Sequence, residues 1–334
     1  MSASAAVALP GQRLKLQWRR FGFRLPLPLV TASGRVEAKQ GWLLRLEASD
    51  GSLGWGEAAP LDPDDRPAVA MALEALLPCA GRGDLERALP GLPATVGFAL
   101  GAALAEIDGE VAAGGAGGWL DAPPSAWLLP AGDAMLEVLE RLPGRSGPMP
   151  APLTLKWKVA ALNDGLERAL LERLLAWLPA DGRLRLDANG GWDRSTAAAW
   201  ADRLAGDPRL DWLEQPLTAV DQEGLERLGE RIPVALDESL VRRPALRERW
   251  GGWQVRRPSQ EGDPRGLLAL LRQGAPRLML STGFETGIGA RWTAHLAALQ
   301  VRGPTPTAPG LAPGWSPGGP LFDPDPERVW GAVA

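Results

Sequence analysis

Leu153 to Ala160 reads LTLKWKVA, and its side chains separate by parity. In a strand successive residues point to opposite faces, so Thr154, Lys156 and Lys158 share one face and Leu155, Trp157 and Val159 the other. Two ammonium groups therefore point the same way. Taken alone, such a face could simply be wet; the rest of the chain argues otherwise.

Downstream come RLRLDANG (Arg183 to Gly190), LDWLEQP (Leu210 to Pro216), PVALDES (Pro233 to Ser239), GWQVRRP (Gly252 to Pro258) and RLMLSTG (Arg277 to Gly283), each a short apolar run ending in a polar residue. From Lys158 to Asp187, Glu214, Asp237, Arg257 and Ser281 the steps are roughly 20 to 30 residues, the length of one strand–helix unit. Helical patterns at Asn163 to Leu178 and Ser195 to Leu204 lie between. Repeated units with polar residues at the C-terminal strand ends predict an α/β fold, a (β/α)8-type barrel whose active site is built at those ends. The two lysines then face three carboxylates.

The first hundred or so residues read differently. Strand-like runs at LKLQW, GWLLRLEA and LGWGEAAP precede helical patterns at Ala68 to Leu77 and Thr95 to Val111. That order predicts an N-terminal α+β capping domain over residues 1–113. A Gly/Pro-rich linker, GGAGGWLDAPPS, occupies 114–125. The barrel is expected over 126–320, with a tail at 321–334 that could pack on the cap. Its first strand is expected at Ala126 to Leu129 and the next helix at Ala134 to Leu142. The eighth strand should fall where Gly and Pro are dense, and only Gly310 to Trp315 is compatible with a strand end. GWGEAAP (Gly54 to Pro60) lacks the GxxxxGK[ST] order of a phosphate loop; it is expected as a cap loop closing over the mouth.

With 36 basic and 40 acidic residues in 334, the balance points to neither nucleic acid nor an anionic membrane surface. No uncharged apolar run of about 18 residues is present for a membrane span. Met1 to Pro10 lacks the basic and apolar regions of a secretory signal. The single Cys79 excludes an intramolecular disulfide and is expected buried and inert, which suits a cytoplasmic setting. The single His295 lies in a helical pattern, WTAHLAAL, and is expected to be structural. The expected partner is a small-molecule carboxylate substrate; the oligomeric state stays open.

Asp187, Glu214 and Asp237 each end a separate run. Three anions converging in a barrel mouth repel unless a cation sits among them, and oxygen-only ligands suit a hard ion, Mg²⁺ or Mn²⁺. A metal facing lysines has a specific use. A proton next to a carboxylate is very weakly acidic, and a divalent cation stabilises the enediolate left when it is removed. A lysine serves as the base where a neighbouring cation and partial desolvation favour its neutral form.

The KxK pair, DAN, LEQP, LDES, a basic residue before Pro258, the turn STGFETGIG (Ser281 to Gly289) and the cap motifs GWGEAAP and TVGFALGAALAEI resemble the enolase superfamily, muconate-lactonizing subgroup, over about residues 12 to 300. The use of a lysine base with Mg²⁺ in that superfamily is a known pattern. The resemblance implies that Asp187, Glu214 and Asp237 hold Mg²⁺ and that Lys158 is the acid/base. It also implies that Lys156, Arg185, Asn189, Ser281, Thr282 and Gly283 lie near the substrate's carboxylates.

One position departs from the subgroup. The pattern has a second lysine before the proline after strand six, and this chain has Arg257. Parity with Trp253 and Val255 still points Arg257 inward, but arginine is effectively always protonated and is a poor base. An N-acylamino acid racemase or dipeptide epimerase needs proton transfer on both faces. The epimerase pattern also expects an acidic pair at strand eight, and Thr307 to Trp315 contains no acid. The resemblance also implies a different case, a lyase whose syn dehydration can use one lysine, the opposite cation serving only to stabilise the anion. Arg257 suits that role. A non-catalytic anion-binding homologue is the remaining alternative, against which Lys158 and all three carboxylates stand.

Overall fold

The computed structural model describes residues 12–31, 34–76, 81–111, 118–142 and 153–333. Cys79 lies outside them. A three-stranded antiparallel sheet is formed by β1 (Leu14–Thr31), β2 (Gly34–Ala48) and β3 (Leu53–Ala58), followed by helices α1 (Arg66–Leu76), α2 (Arg82–Ala88) and α3 (Ala94–Ile107). GWGEAAP is mostly β3 rather than a loop, and its glycines serve packing. A Cβ on Gly54 would lie 1.9 Å from the Ala103 carbonyl oxygen, and one on Gly56 2.0 Å from that of Ala99. Helix α3 is thus pressed directly onto the sheet. Its other side meets the second layer, where a Cβ on Gly101 would strike the Asp263 carboxylate at 2.3 Å.

The second sheet has seven parallel strands in the order β4 (Trp127–Leu129), β5 (Thr154–Lys158), β6 (Arg183–Asp187), β7 (Leu210–Glu214), β8 (Val234–Leu236), β9 (Trp253–Arg256) and β10 (Leu278–Leu280). Helices α4 (Ala134–Arg141), α5 (Asp164–Trp177), α6 (Arg194–Leu204) and α7 (Gln222–Gly229) connect them in turn. The short α8 (Glu238–Arg242) and α9 (Leu246–Arg249) follow β8, α10 (Pro264–Arg272) follows β9 and α11 (Gly287–Val301) follows β10. Capping side chains start several of these helices: Asn163 accepts from Gly165 N at 3.0 Å, and Asp193 from Thr196 N at 2.7 Å. Leu155, Trp157, Leu184, Leu186 and Leu213 point outward into a core shared with the helices. Trp212, Ala235, Val255 and Met279 fill the ring from inside.

Closure of the ring differs from the expected strand at Gly310 to Trp315. Among the described residues the eighth position is reduced to one parallel bridge between Ser281 and Gly310. Gly310 N donates to Leu280 O at 2.8 Å, and Thr282 N to Gly310 O at 3.0 Å. On the far side Ala126 N donates to Pro309 O at 2.9 Å. Pro304, Pro306 and Pro309 have no N–H to give a ladder, and Pro313–Trp315 turns as a 3-10 helix instead. The chain then returns to the cap: α12 (Pro326–Gly331) brings Trp330 to 5.7 Å from Trp55, and Arg19 donates to Trp330 O at 2.9 Å.

Among the described residues no helix is long and apolar enough to cross a membrane. His295 packs edge-on to Trp119 at 5.6 Å, and its Nδ1 accepts from Leu120 N at 3.2 Å. Burial and the nearby Arg272 and Arg302 charges lower its pKa.

Candidate active site

Asp187 and Glu214 are the last residues of β6 and β7, Asp237 follows β8, and all three are buried at 1%, 0% and 5% exposure. Lys156 reaches between the first two, 2.9 Å from Asp187 Oδ2 and 2.6 Å from Glu214 Oε1. Lys158 Nζ donates to Asp187 Oδ2 at 3.0 Å and to Asn189 Oδ1 at 2.6 Å. Arg257 Nε donates to Asp237 Oδ1 at 3.1 Å, and its Nη2 to Asp237 Oδ2. Arg257 Nη1 donates to Ser281 Oγ at 3.1 Å and to the Thr282 carbonyl at 2.8 Å. Five strand ends thus contribute two ion-paired groups, Lys156 and Lys158 with Asp187 and Glu214, and Arg257 with Asp237, close enough to feel one another's charge.

The electrostatics follow from burial and pairing. Burial alone would lower the pKa of Lys156, but Asp187 and Glu214 hold it above the ordinary value. Burial would raise Asp187, yet the Lys156 and Lys158 charges hold it well below the usual carboxylate range. Glu214 is raised, by burial first, with Asp187 and Asp237 adding repulsion. Arg257, desolvated but gripped by Asp237, is held above its ordinary value. Lys156 and Arg257 are therefore fixed cations.

Backbone geometry aims several of these groups. Asn189 sits at φ +46° and is tied by its N–H to Asp187 Oδ1 at 3.1 Å and by Nδ2 to Glu238 Oε1 at 2.9 Å. Gln215, at φ +37° and fully buried, accepts from Asp237 N at 3.2 Å and Ser239 N at 3.0 Å and donates to Ser239 Oγ at 2.8 Å. It locks the end of β7 to that of β8. In the sequence Gln215 and Glu238 are marked only as the polar residue directly after an acid in LEQP and LDES, and no role follows from that alone.

Arg185 stands apart from these groups, one step further down β6 than Asp187. Its side chain is fully buried, stacked 4.2 Å from the Trp212 ring centroid. Nε donates to Asp211 at 2.9 Å, Nη1 to Ala308 O at 2.7 Å and Nη2 to Thr307 Oγ1 at 2.6 Å. All its nitrogens are engaged in holding the closing segment. In the Ser281–Gly283 turn the backbone N–H groups are also engaged: Ser281 with Arg256 O at 2.8 Å, Thr282 with Gly310 O, and Gly283 with Glu285 Oε1 at 2.7 Å. The turn lies beside the cluster through Arg257, as a wall more than as a set of free donors.

Among the described residues no three acid, His or Cys side chains close round a common point as they stand; the carboxylates turn to Lys156 and Arg257 instead. The donor chemistry nonetheless fits a hard cation. Three carboxylates from adjacent strands share the site, and beside them Glu238 Oε2 is buried without a hydrogen-bond partner. Glu238 is pushed up to about 7 by burial and by the charges of Asp237 and Asp187.

Residues 154–249 match the family model described as enolase C-terminal domain-like. Barrel, cap and site together define an enzyme of the enolase superfamily. The o-succinylbenzoate synthase of Thermosynechococcus vestitus is 35% identical over 300 residues, covering 85% of this chain and 88% of that protein. That of Edwardsiella ictaluri is 30% identical over 316 residues, covering 87% and 88%. A solved o-succinylbenzoate synthase from Thermosynechococcus elongatus, complexed with Mg in the active site, superposes with a TM-score of 0.77 at 30% identity, covering 96% of this chain and 100% of that one. The chain belongs to the o-succinylbenzoate synthase family. The L-Ala-D/L-Glu epimerase of Bacillus subtilis, at 20% identity and a TM-score of 0.66, shares the fold.

Proposed function

We propose that this cytoplasmic lyase dehydrates 2-succinyl-6-hydroxy-2,4-cyclohexadiene-1-carboxylate to o-succinylbenzoate, a step toward menaquinone or phylloquinone. The observation that carries the reading is the placement of Lys158 and Arg257. They end β5 and follow β9, four positions apart either way round a ring of seven strands and one bridge. The acid trio lies on the three strands between. One wall of the mouth thus carries a lysine amine, and the facing wall a permanent cation.

Asp187, Glu214 and Asp237 would hold Mg²⁺, or Mn²⁺ in its place, and the bound ion would supply positive charge for the anion formed on proton loss. Lys158, aimed by Asn189, takes the α-proton. The carbon–oxygen bond to the ring hydroxyl then breaks on the same face, and Lys158 returns the proton so that water departs. Arg257 balances negative charge from the opposite side without exchanging a proton. Lys156, shared by Asp187 and Glu214, keeps those two carboxylates oriented. An epimerase reading would need a base where Arg257 stands.

The test is an assay of the purified protein with Mg²⁺ against the cyclohexadiene substrate and a panel of N-succinylamino acids. Rapid Mg²⁺-dependent dehydration, abolished by a chelator, is expected. Racemisation of the amino acids without dehydration would overturn the assignment.

A further inference from the structure

Lys39 lies on β2, in the cap, at 3% exposure. Desolvating an ammonium is costly, and a position needed only for packing would take Met or Leu. Its Nζ donates to the Gly283 carbonyl. Burial lowers the Lys39 pKa, and the Glu285 and Glu57 carboxylates act against that shift. Arg257 is near enough to repel it.

Gly283 is held from both sides. Its N–H donates to Glu285 Oε1 at 2.7 Å, while Glu285 also accepts from Ser259 Oγ and Thr282 Oγ1, both at 2.6 Å. A Cβ at Gly283 would lie 2.5 Å from Ser259 Oγ, so a larger residue would displace that hydroxyl from Glu285. The preceding carbonyl, that of Thr282, receives the 2.8 Å hydrogen bond from Arg257 Nη1. One peptide unit therefore separates the contact made by the cap lysine from the contact that orients the active-site arginine.

We propose that Lys39 is a positioning residue: from the cap it fixes the Gly283 carbonyl, and with it the Thr282 carbonyl against which Arg257 is braced, so that cap docking sets the cation facing Lys158. The kinetic part of this inference rests on the dehydratase reading above; the anchoring of the turn does not.

The test uses the full chain with Mg²⁺ and the variant Lys39→Met. Amide hydrogen exchange at Gly283 and Phe284 should speed up by about tenfold or more relative to amides elsewhere in the barrel. The kcat for dehydration should fall by about tenfold with a smaller change in KM, because Arg257 acts on the developing anion. In an Arg257→Met background the same change should cost less than about twofold, since residues acting as a unit are not additive. Unchanged exchange at the turn would overturn the anchoring. Losses that multiply in the double variant, or a lower thermal midpoint with wild-type kcat, would overturn the link to Arg257. Lys39→Leu, which likewise removes the donor, gives the same readouts if the Met variant does not fold. Wild-type protein lacking dehydration would refute the reaction assignment, while exchange at the turn would still decide whether Lys39 anchors it.

Discussion

Lys158 Nζ lies 2.6 Å from Asn189 Oδ1, across the neighbouring strand end, so the amine is aimed by a neutral acceptor as well as by the Asp187 carboxylate. Lys158→Ala should cost about 10²-fold or more in kcat, the usual scale of general acid/base catalysis. Asn189→Ala, which leaves the amine but frees its direction, should cost less. Steady-state rates of the two variants at saturating Mg²⁺ check the order; an Asn189 variant slower than the Lys158 variant would contradict the assignment of the base.

Arg257→Lys keeps a cation while placing a titratable group on the second face. It should retain much of the dehydration and gain α-proton exchange from that face. Deuterium wash-in at the α-carbon of an N-succinylamino acid in D₂O distinguishes the two proteins. Wild-type racemisation as fast as dehydration would end the one-base mechanism.

Glu214 stands between the other two acids and is fully buried. Glu214→Gln keeps its shape and removes its charge, so Mg²⁺ affinity measured by titration calorimetry should fall by about tenfold or more, and activity with it. Unchanged affinity would show that the ion binds elsewhere.

Much of this site was legible because period two says which face a strand residue occupies. Lys156, Lys158, Asp187, Glu214, Asp237 and Arg257 all join the two ion-paired groups on that basis. Parity is silent on depth, however. Arg185 shares a face with Asp187 but lies one pleat lower, about 7 Å along the strand, beneath the mouth and against Trp212. The glycines of GWGEAAP looked like loop residues because their packing partner, α3, is distant in sequence. Lys39 carried no motif at all; its meaning comes from a contact with Gly283 that only tertiary structure creates.

Arg185 also yields a stability prediction. Arg185→Met would leave Asp211, Thr307 and the Ala308 carbonyl without their donor. Removing one partner of a buried pair costs about 3–5 kcal/mol. Denaturant unfolding should show a loss of that order, and a loss below about 1 kcal/mol would mean that the closing segment is held by other contacts.

Glu57 Oε2 accepts from Thr286 N at 2.8 Å, Thr286 Oγ1 at 2.6 Å and Gly289 N at 3.2 Å, while its Oε1 is buried without a partner. Burial, opposed by Lys39, pushes this carboxyl up from 4.5 to about 7. Between those values the folded chain keeps a proton that the unfolded chain has released, so this group makes stability fall as pH rises from about 4.5 to about 7 and then level off. Glu57→Gln should flatten that part of the stability–pH curve. Thermal midpoints across the range provide the check, and an unaltered slope would remove Glu57 as its source.

The single bridge at Gly310 has a consequence for how the molecule is made. Strands β4 and β10 can be joined only once the chain beyond residue 308 is present, because Pro309 and Gly310 supply the atoms that link Ala126 to Leu280. During synthesis from the N-terminus, any parallel sheet that forms before residue 310 emerges is an open ribbon with both edges exposed. Exposed edges invite pairing with other chains. The interval between completion of β10 and arrival of Gly310 is therefore the stage at which a nascent copy is most open to misassembly, and a chaperone's help is worth most there.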